Sequence, residues 1–206
     1  MTTTVMDTKT KGSITLQGSA AMIREFFHYG IHNILYQRGI YSADSFIKEK
    51  RFGMSLLVSS DMRLQKFLEP FLAALEKHLS EKNLRKMVVA LYDVKTKEVL
   101  ERWVFDIQED QVNDENGNSL MDEKRVRGGM ANVLRQITAA VAFLPHMEAE
   151  CSFDVLIGLK RGTGTADNDF EATKDQKIQN AECVPLRSFA TGHHDVKASV
   201  EYKSEF

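Results

Sequence analysis

The chain has 206 residues, 43% of them hydrophobic, with a formal net charge of −2, which fits one sizeable core and argues against a general affinity for nucleic acid or anionic membrane. No apolar run approaches the roughly 20 residues of a membrane span, and the Thr- and Lys-rich Met1–Lys11 lacks the apolar core of a secretory signal. Two cysteines, Cys151 and Cys183, make no disulfide framework, so a cytosolic or nuclear chain with free thiols is expected.

Residues 1–12 read as a flexible arm. Ser13–Gly39 holds the first helix: Met22, Ile23, Phe26, Phe27, Ile31, Ile34 and Leu35 recur at helical spacing. Arg38 and Gly39 supply a basic last turn and a glycine stop. Ile40–Lys50 reads as a connection with one helical turn, and Phe52–Ser59 as a short strand. Asp61 is a good N-cap for a second helix, with Leu64, Phe67, Leu68, Phe71, Leu72, Leu75 and Leu79 as its stripe. Pro70 inside that run removes a backbone donor, so a kink or broken turn is expected there. Leu84–Tyr92 and Val99–Ile107 flank a turn at Asp93–Glu98 and predict an antiparallel hairpin, with Trp103 in the core. Gln108–Asp122 is acidic and polar, with a turn at Asn116-Gly117, and reads as a solvated loop.

A third helix follows, its start weakened by Gly128 and Gly129. Met130, Val133, Leu134, Ile137, Val141 and Leu144 make one apolar stripe, and Pro145 stops the helix near Leu144. Opposite the stripe lie Asn132, Arg135, Gln136, Ala139 and Phe143. An arginine and an aromatic facing outward suit a protein contact; a second packed layer over Phe143 is the other reading. Cys151, Phe153, Val155 and Ile157 then alternate with Ser152, Asp154 and Leu156, a strand with one strongly apolar face. Lys160–Ala181 is polar and reads as long and mobile. Cys183–Thr191 and Asp195–Lys203 are the last strand candidates, with Val196, Ala198, Val200 and Tyr202 alternating. No repeat or second domain is visible.

Catalytic chemistry is not legible. Gly162-Thr163-Gly164 lacks the strand, helix and lysine of a phosphate loop. No cysteine pair has metal spacing, and the adjacent His193 and His194 on a strand would point to opposite faces, so they read as a polar hairpin turn. Neither an enzyme nor a cofactor is expected.

Six stretches together carry a resemblance: GSITLQGSA (12–20), EFFHYGIHNILYQRGIY (25–41), LERWVFDI (100–107), VLRQITAAVAFLP (133–145), CSFDVLI (151–157) and LRSFATGHH (186–194). They resemble the HORMA-domain family, in its spindle-checkpoint branch. The resemblance implies an α+β fold: three helices on an antiparallel sheet, with a mobile C-terminal safety belt, here residues 159–206 of a single HORMA domain spanning 1–206. It implies a non-enzymatic switch in which the belt either covers the edge of the strand Cys151, Ser152, Phe153, Asp154, Val155, Leu156, Ile157 or crosses the sheet, freeing that edge for a client peptide. The belt positions carried over are Val184, Leu186, Arg187, Phe189, His194, Val196, Val200 and Tyr202. Implied partners are closure-motif peptides of a kinetochore checkpoint protein and of the anaphase-promoting complex activator, a remodelling ATPase with its adaptor, and a second copy in an open–closed dimer through Arg135, Gln136 and Phe143. Implied places are the nucleus and kinetochore, with a cytoplasmic pool. A translesion-polymerase, meiotic-axis or cytoskeletal client is the alternative within the same family. Physically, a sheet edge is a row of unpaired donors and acceptors that an added strand satisfies.

Overall fold

Three α-helices pack on one face of a five-stranded antiparallel sheet in the computed structural model, which describes residues 14–112, 114–162 and 176–203. The arm at residues 1–12 and most of the stretch 160–181 lie outside the described residues. The elements run α1 (Leu16–Gln37), β1 (Phe46–Arg51), β2 (Met54–Ser59), α2 (Met62–Ser80), β3 (Leu84–Asp93), β4 (Val99–Glu109), α3 (Glu123–Ala139), β5 (Cys151–Leu159), β6 (Ala181–Ala190) and β7 (His194–Lys203). Strands β1 and β2 form a separate hairpin; the main sheet has the order β5-β3-β4-β7-β6.

α1 is the buried axis of the molecule. Thr15 caps it by accepting from Gly18 N, and Phe26, Phe27, Ile23, Ile31, Ile34 and Leu35 are almost fully buried. Phe26 and Phe27 meet Phe105 of β4 edge to face at 5.9 and 5.1 Å, a geometry that aligns ring edges with ring faces. Period-two alternation sorts the strands: Met87, Val89, Leu91, Trp103, Phe105, Ile107, Val196, Ala198 and Val200 face the helices. Val88, Ala90 and Val104 form a smaller cluster on the other face.

Several expectations need correction. Phe46–Arg51 is strand β1, not connection, paired from Phe46↔Ser59 to Arg51↔Met54 around Phe52 and Gly53 at φ 51° and 68°; its charged sequence hid it, because an edge hairpin needs no apolar alternation. α2 is unbroken through Pro70. Both Pro70 and Lys66, whose carbonyl loses its helical partner, are exposed, which puts that carbonyl on the solvent side of the helix. α3 begins at Glu123, with Asp122 accepting from Arg125 N, so both glycines lie inside the helix instead of at its start. The α-helix tightens to a 3-10 turn at Ala140–Ala142, which shifts the phase and leaves Val141, expected in the stripe, 47% exposed.

The region 108–122 is not simply a solvated loop. β4 continues to Glu109, the turn at Gly117 is held by Asp114 accepting from Asn116 and Asn118 N, and Ser119 is buried in a bridge with Ile14. Nor does Arg38 serve as a basic last turn. Its side chain leaves the helix end, donates to Pro145 O at 2.6 Å and pairs with Glu101 at 3.0 Å, both side chains being buried. Glu101 also accepts from Trp103 Nε1 at 2.7 Å.

Candidate functional site

β5 lies at one end of the main sheet, and among the described residues its strand partner is β3 alone, in register from Leu84↔Leu159 to Asp93↔Cys151. One side of its backbone therefore carries groups without a strand partner. Cys151, Ser152, Phe153, Asp154, Val155, Leu156 and Ile157 all sit on it, as the sequence reading placed them. Phe153, Val155 and Ile157 face the helices. The Phe153 ring meets Phe67 of α2 at 5.8 Å and Tyr41 at 6.2 Å, and Phe67 is 52% exposed. An apolar strip thus runs beside the free edge, open to a side chain arriving from outside. On the opposite face Asp154 accepts from Gln176 Nε2 at 3.2 Å, where the chain returns toward β6. Burial and the nearby Asp93 push the Cys151 thiol above its ordinary value, so it is protonated at neutral pH and unsuited to act as a nucleophile.

The C-terminal hairpin occupies the far side of the sheet. β7 pairs with β4 from Glu101↔Tyr202 to Glu109↔His194, and β6 pairs outside it. Two strands therefore extend the sheet away from β5. Phe189 of β6 enters the core and meets Phe26 edge to face at 4.8 Å; Val196 and Val200 are buried, and Val184, Leu186 and Tyr202 pack half-buried on the core. Arg187 is exposed, and its backbone N–H donates to Gln136 Oε1 of α3. Pro185 lies beside a register shift in β6, the outermost strand, where a missing N–H is tolerated. The sequence reading took His193-His194 for a polar turn; His193 lies in the turn, His194 opens β7, and both are buried. His194 bonds Ser19 and the Leu79 carbonyl, and burial lowers its pKa to about 4.

Gly129 escaped notice as anything but a helix weakener. A Cβ there would lie 2.9 Å from Phe189 Cβ, so its missing side chain is what lets β6 lie against α3. Ser19 escaped too, since nothing local to it signals a partner 172 residues away.

On α3, Arg135 is exposed and donates to Asn132 within the same helix, and Gln136 is half-buried under β6; Phe143, just past the 3-10 turn, is 48% exposed. Arg135 on α3 and Phe143, which follows the 3-10 turn beyond it, are both exposed, while Gln136 is engaged by the hairpin. Among the described residues no group of His, Cys, Asp or Glu side chains could hold a metal ion, and no helix is long and apolar enough to cross a membrane.

The chain, whose three helices pack on a sheet with a C-terminal hairpin at the end away from β5, matches the family model described as HORMA domain over residues 19–194; it belongs to the HORMA-domain family. It is 41% identical over 191 residues to the mitotic spindle assembly checkpoint protein MAD2A of Homo sapiens, covering 92% of this chain and 93% of that protein. The mitotic spindle checkpoint component mad2 of Schizosaccharomyces pombe is 34% identical over 93% of this chain and 95% of its own length. A chain in the crystal structure of the Mitotic Checkpoint Complex superposes with a TM-score of 0.83 at 32% identity, over 91% of this chain and 99% of that one. HTP-2 bound to HTP-3 motif-6 shares the fold, with a TM-score of 0.78 at 15% identity over 93% of both chains.

Proposed function

We propose that the chain is a non-enzymatic adaptor of the spindle assembly checkpoint, which captures an extended client peptide on the β5 edge and holds it under the C-terminal belt. The observation that carries this reading is the position of the β6–β7 hairpin on the β4 side of the sheet, which leaves β5 without a second strand partner among the described residues. A peptide adding to that edge gains main-chain hydrogen bonds, and its alternate side chains reach the strip of Phe67, Phe153 and Val155. Likeness to checkpoint proteins over more than nine-tenths of the chain supports the pathway, and a HORMA chain solved with a bound motif supports peptide capture.

The clients in this reading are closure-motif peptides of a kinetochore checkpoint protein and of the anaphase-promoting complex activator. A second copy pairs through Arg135, Gln136 and Phe143, a remodelling ATPase with its adaptor resets the switch, and the protein works in the nucleus and at the kinetochore, with a cytoplasmic pool. An edge-bound peptide alone would dissociate fast, since its ordering cost offsets much of its contact energy. A belt closed over it makes release wait on local unfolding.

The test is amide exchange with and without a synthetic peptide having one basic residue, two apolar residues, a spacer, a further apolar residue and a later proline. The expected result is new protection at residues 151–157 together with 183–202. Protection confined to 130–144, with β5 unchanged, would place the client on α3 and overturn the reading.

A further inference from the structure

We propose that Ser19, Thr191 and His194 are positioning residues for the β6–β7 hairpin: a buried catch that joins its turn to α1 and α2 and sets how long the hairpin stays on the β4 edge. The inference rests on the reading of that hairpin as a belt. Ser19 and Thr191 are fully buried and His194 is 2% exposed. Ser19 Oγ lies 2.7 Å from Thr191 Oγ1 and 2.8 Å from His194 Nδ1, and His194 Nε2 lies 3.1 Å from the Leu79 carbonyl.

The direction of the histidine and serine protons follows from what each atom can do. A carbonyl only accepts, so His194 Nε2 carries the hydrogen; burial disfavours the charged ring, so Nδ1 is the acceptor. Ser19 therefore donates to Nδ1, and its oxygen can accept from the Thr191 hydroxyl, whose one hydrogen has the His194 carbonyl at 3.2 Å as its other acceptor. Thr191 Oγ1 in turn accepts from the backbone N–H of His193 and His194, at 3.3 and 3.0 Å, which shapes the turn. Leu79 lies in the last turn of α2, the end of a helix where backbone carbonyls favour a donor. A second tie runs beside it: His193 Nε2 donates to Ile14 O at 2.9 Å, just before α1.

These groups come from three elements far apart in the chain, and the hairpin contributes two of them. When it leaves the β4 edge, Ser19 and Leu79 O lose their partners from the hairpin together. Leu79 O keeps the Lys82 N–H at 2.9 Å, so the loss falls on the buried Ser19, His194 and Thr191 side chains, whose polar groups are costly to leave unpaired. Apolar contacts such as Phe189 on Phe26 hold the hairpin on the sheet by area; the catch specifies one register and one position.

The experiment is amide exchange on the client-free full chain, comparing Thr191→Val, which keeps the volume and removes the hydroxyl, with Thr191→Ser, which keeps the hydroxyl and loses a methyl. The expected result is roughly tenfold faster exchange across residues 181–203 in Thr191→Val, the scale of one lost buried hydrogen bond, with Thr191→Ser close to the parent and β3–β5 amides unchanged in both. Ser19→Ala should match Thr191→Val. If Thr191→Ser is the worse variant, or if exchange rises equally at β3–β5, Thr191 acts as packing volume and the proposal falls. The synthetic client peptide separates this inference from the broader reading. Faster hairpin exchange in a protein that binds no peptide sustains the catch and sinks the client. Peptide binding with an unchanged hairpin in Thr191→Val and Ser19→Ala does the reverse.

Discussion

Arg38 and Glu101 form an ion pair in which both side chains are almost fully buried. Burial pushes the Glu101 carboxyl above its usual range, against the opposing pull of Arg38 and Trp103. Removing one partner strands the other charge away from water. Glu101→Ala should therefore cost about 3–5 kcal/mol in urea unfolding, while the paired change Arg38→Met with Glu101→Leu should cost much less. Equal losses would mean that the pair is not acting as a buried ion pair. Arg135 is the contrasting case. It is exposed and bonds only Asn132 of its own helix among its described hydrogen bonds. Arg135→Glu should change stability by under about 0.5 kcal/mol yet lower the dimer fraction seen by sedimentation velocity; an unchanged fraction would move the self-contact off this face.

At the scale of elements, the junction between α3 and β6 makes a matched pair of tests. Gly128 and Gly129 are neighbours in the helix, and alanine at either should favour it by about 1 kcal/mol. A Cβ at Gly128 meets open space, whereas one at Gly129 would meet Phe189 Cβ at 2.9 Å. Gly128→Ala should raise the melting temperature. Gly129→Ala should instead loosen the hairpin, with faster exchange at 181–203 than in Gly128→Ala, because the clash falls on a side-chain root and not on a flexible tip. Identical behaviour of the two would show that α3 and β6 have room to separate. Phe189 is carried over as a belt position by the family resemblance. The glycine opposite it could not be read as its contact, since a glycine in a helix looks like a weakness until its neighbour is known.

For the whole molecule, three histidines whose pKa burial lowers, His28, His32 and His194, make stability depend on pH, the last two most. Burial lowers His32 to about 3 and His194 to about 4, both below the ordinary 6.5. The folded state therefore holds both rings neutral while the unfolded chain takes up protons first. The sign follows: this stability is fully present above pH 6.5 and is lost as the pH falls through the window from 6.5 toward 4 and then 3. Each ring contributes a slope of about 1.4 kcal/mol per pH unit inside its window. Unfolding free energies measured between pH 5 and 7 should fall on acidification, and His32→Gln should reduce the slope by about one histidine's share; a flat profile would mean that the rings are solvated in the folded state.

The sequence by itself determined the local structure and which face of each element turns inward. Helical spacing placed the stripes of all three helices except at Phe67 and Val141, which are exposed, and period-two alternation placed Phe153, Val155, Val196 and Val200 on the core side, because those periods are properties of the backbone. It also located β5 as the strand on which a client would be sought. It did not locate β1, whose residues are largely solvated, nor the Arg38–Glu101 pair, nor the approach of Phe189 to Gly129. Only the tertiary structure decided which side of the sheet the C-terminal hairpin occupies. Alternation says which face of a strand is buried and nothing about its lateral neighbour, since the backbone bonds between strands are the same whatever the side chains. The choice is made by contacts distant in sequence: Phe189 on Phe26, Arg187 N–H on Gln136, and His194 on Ser19 and Leu79 O.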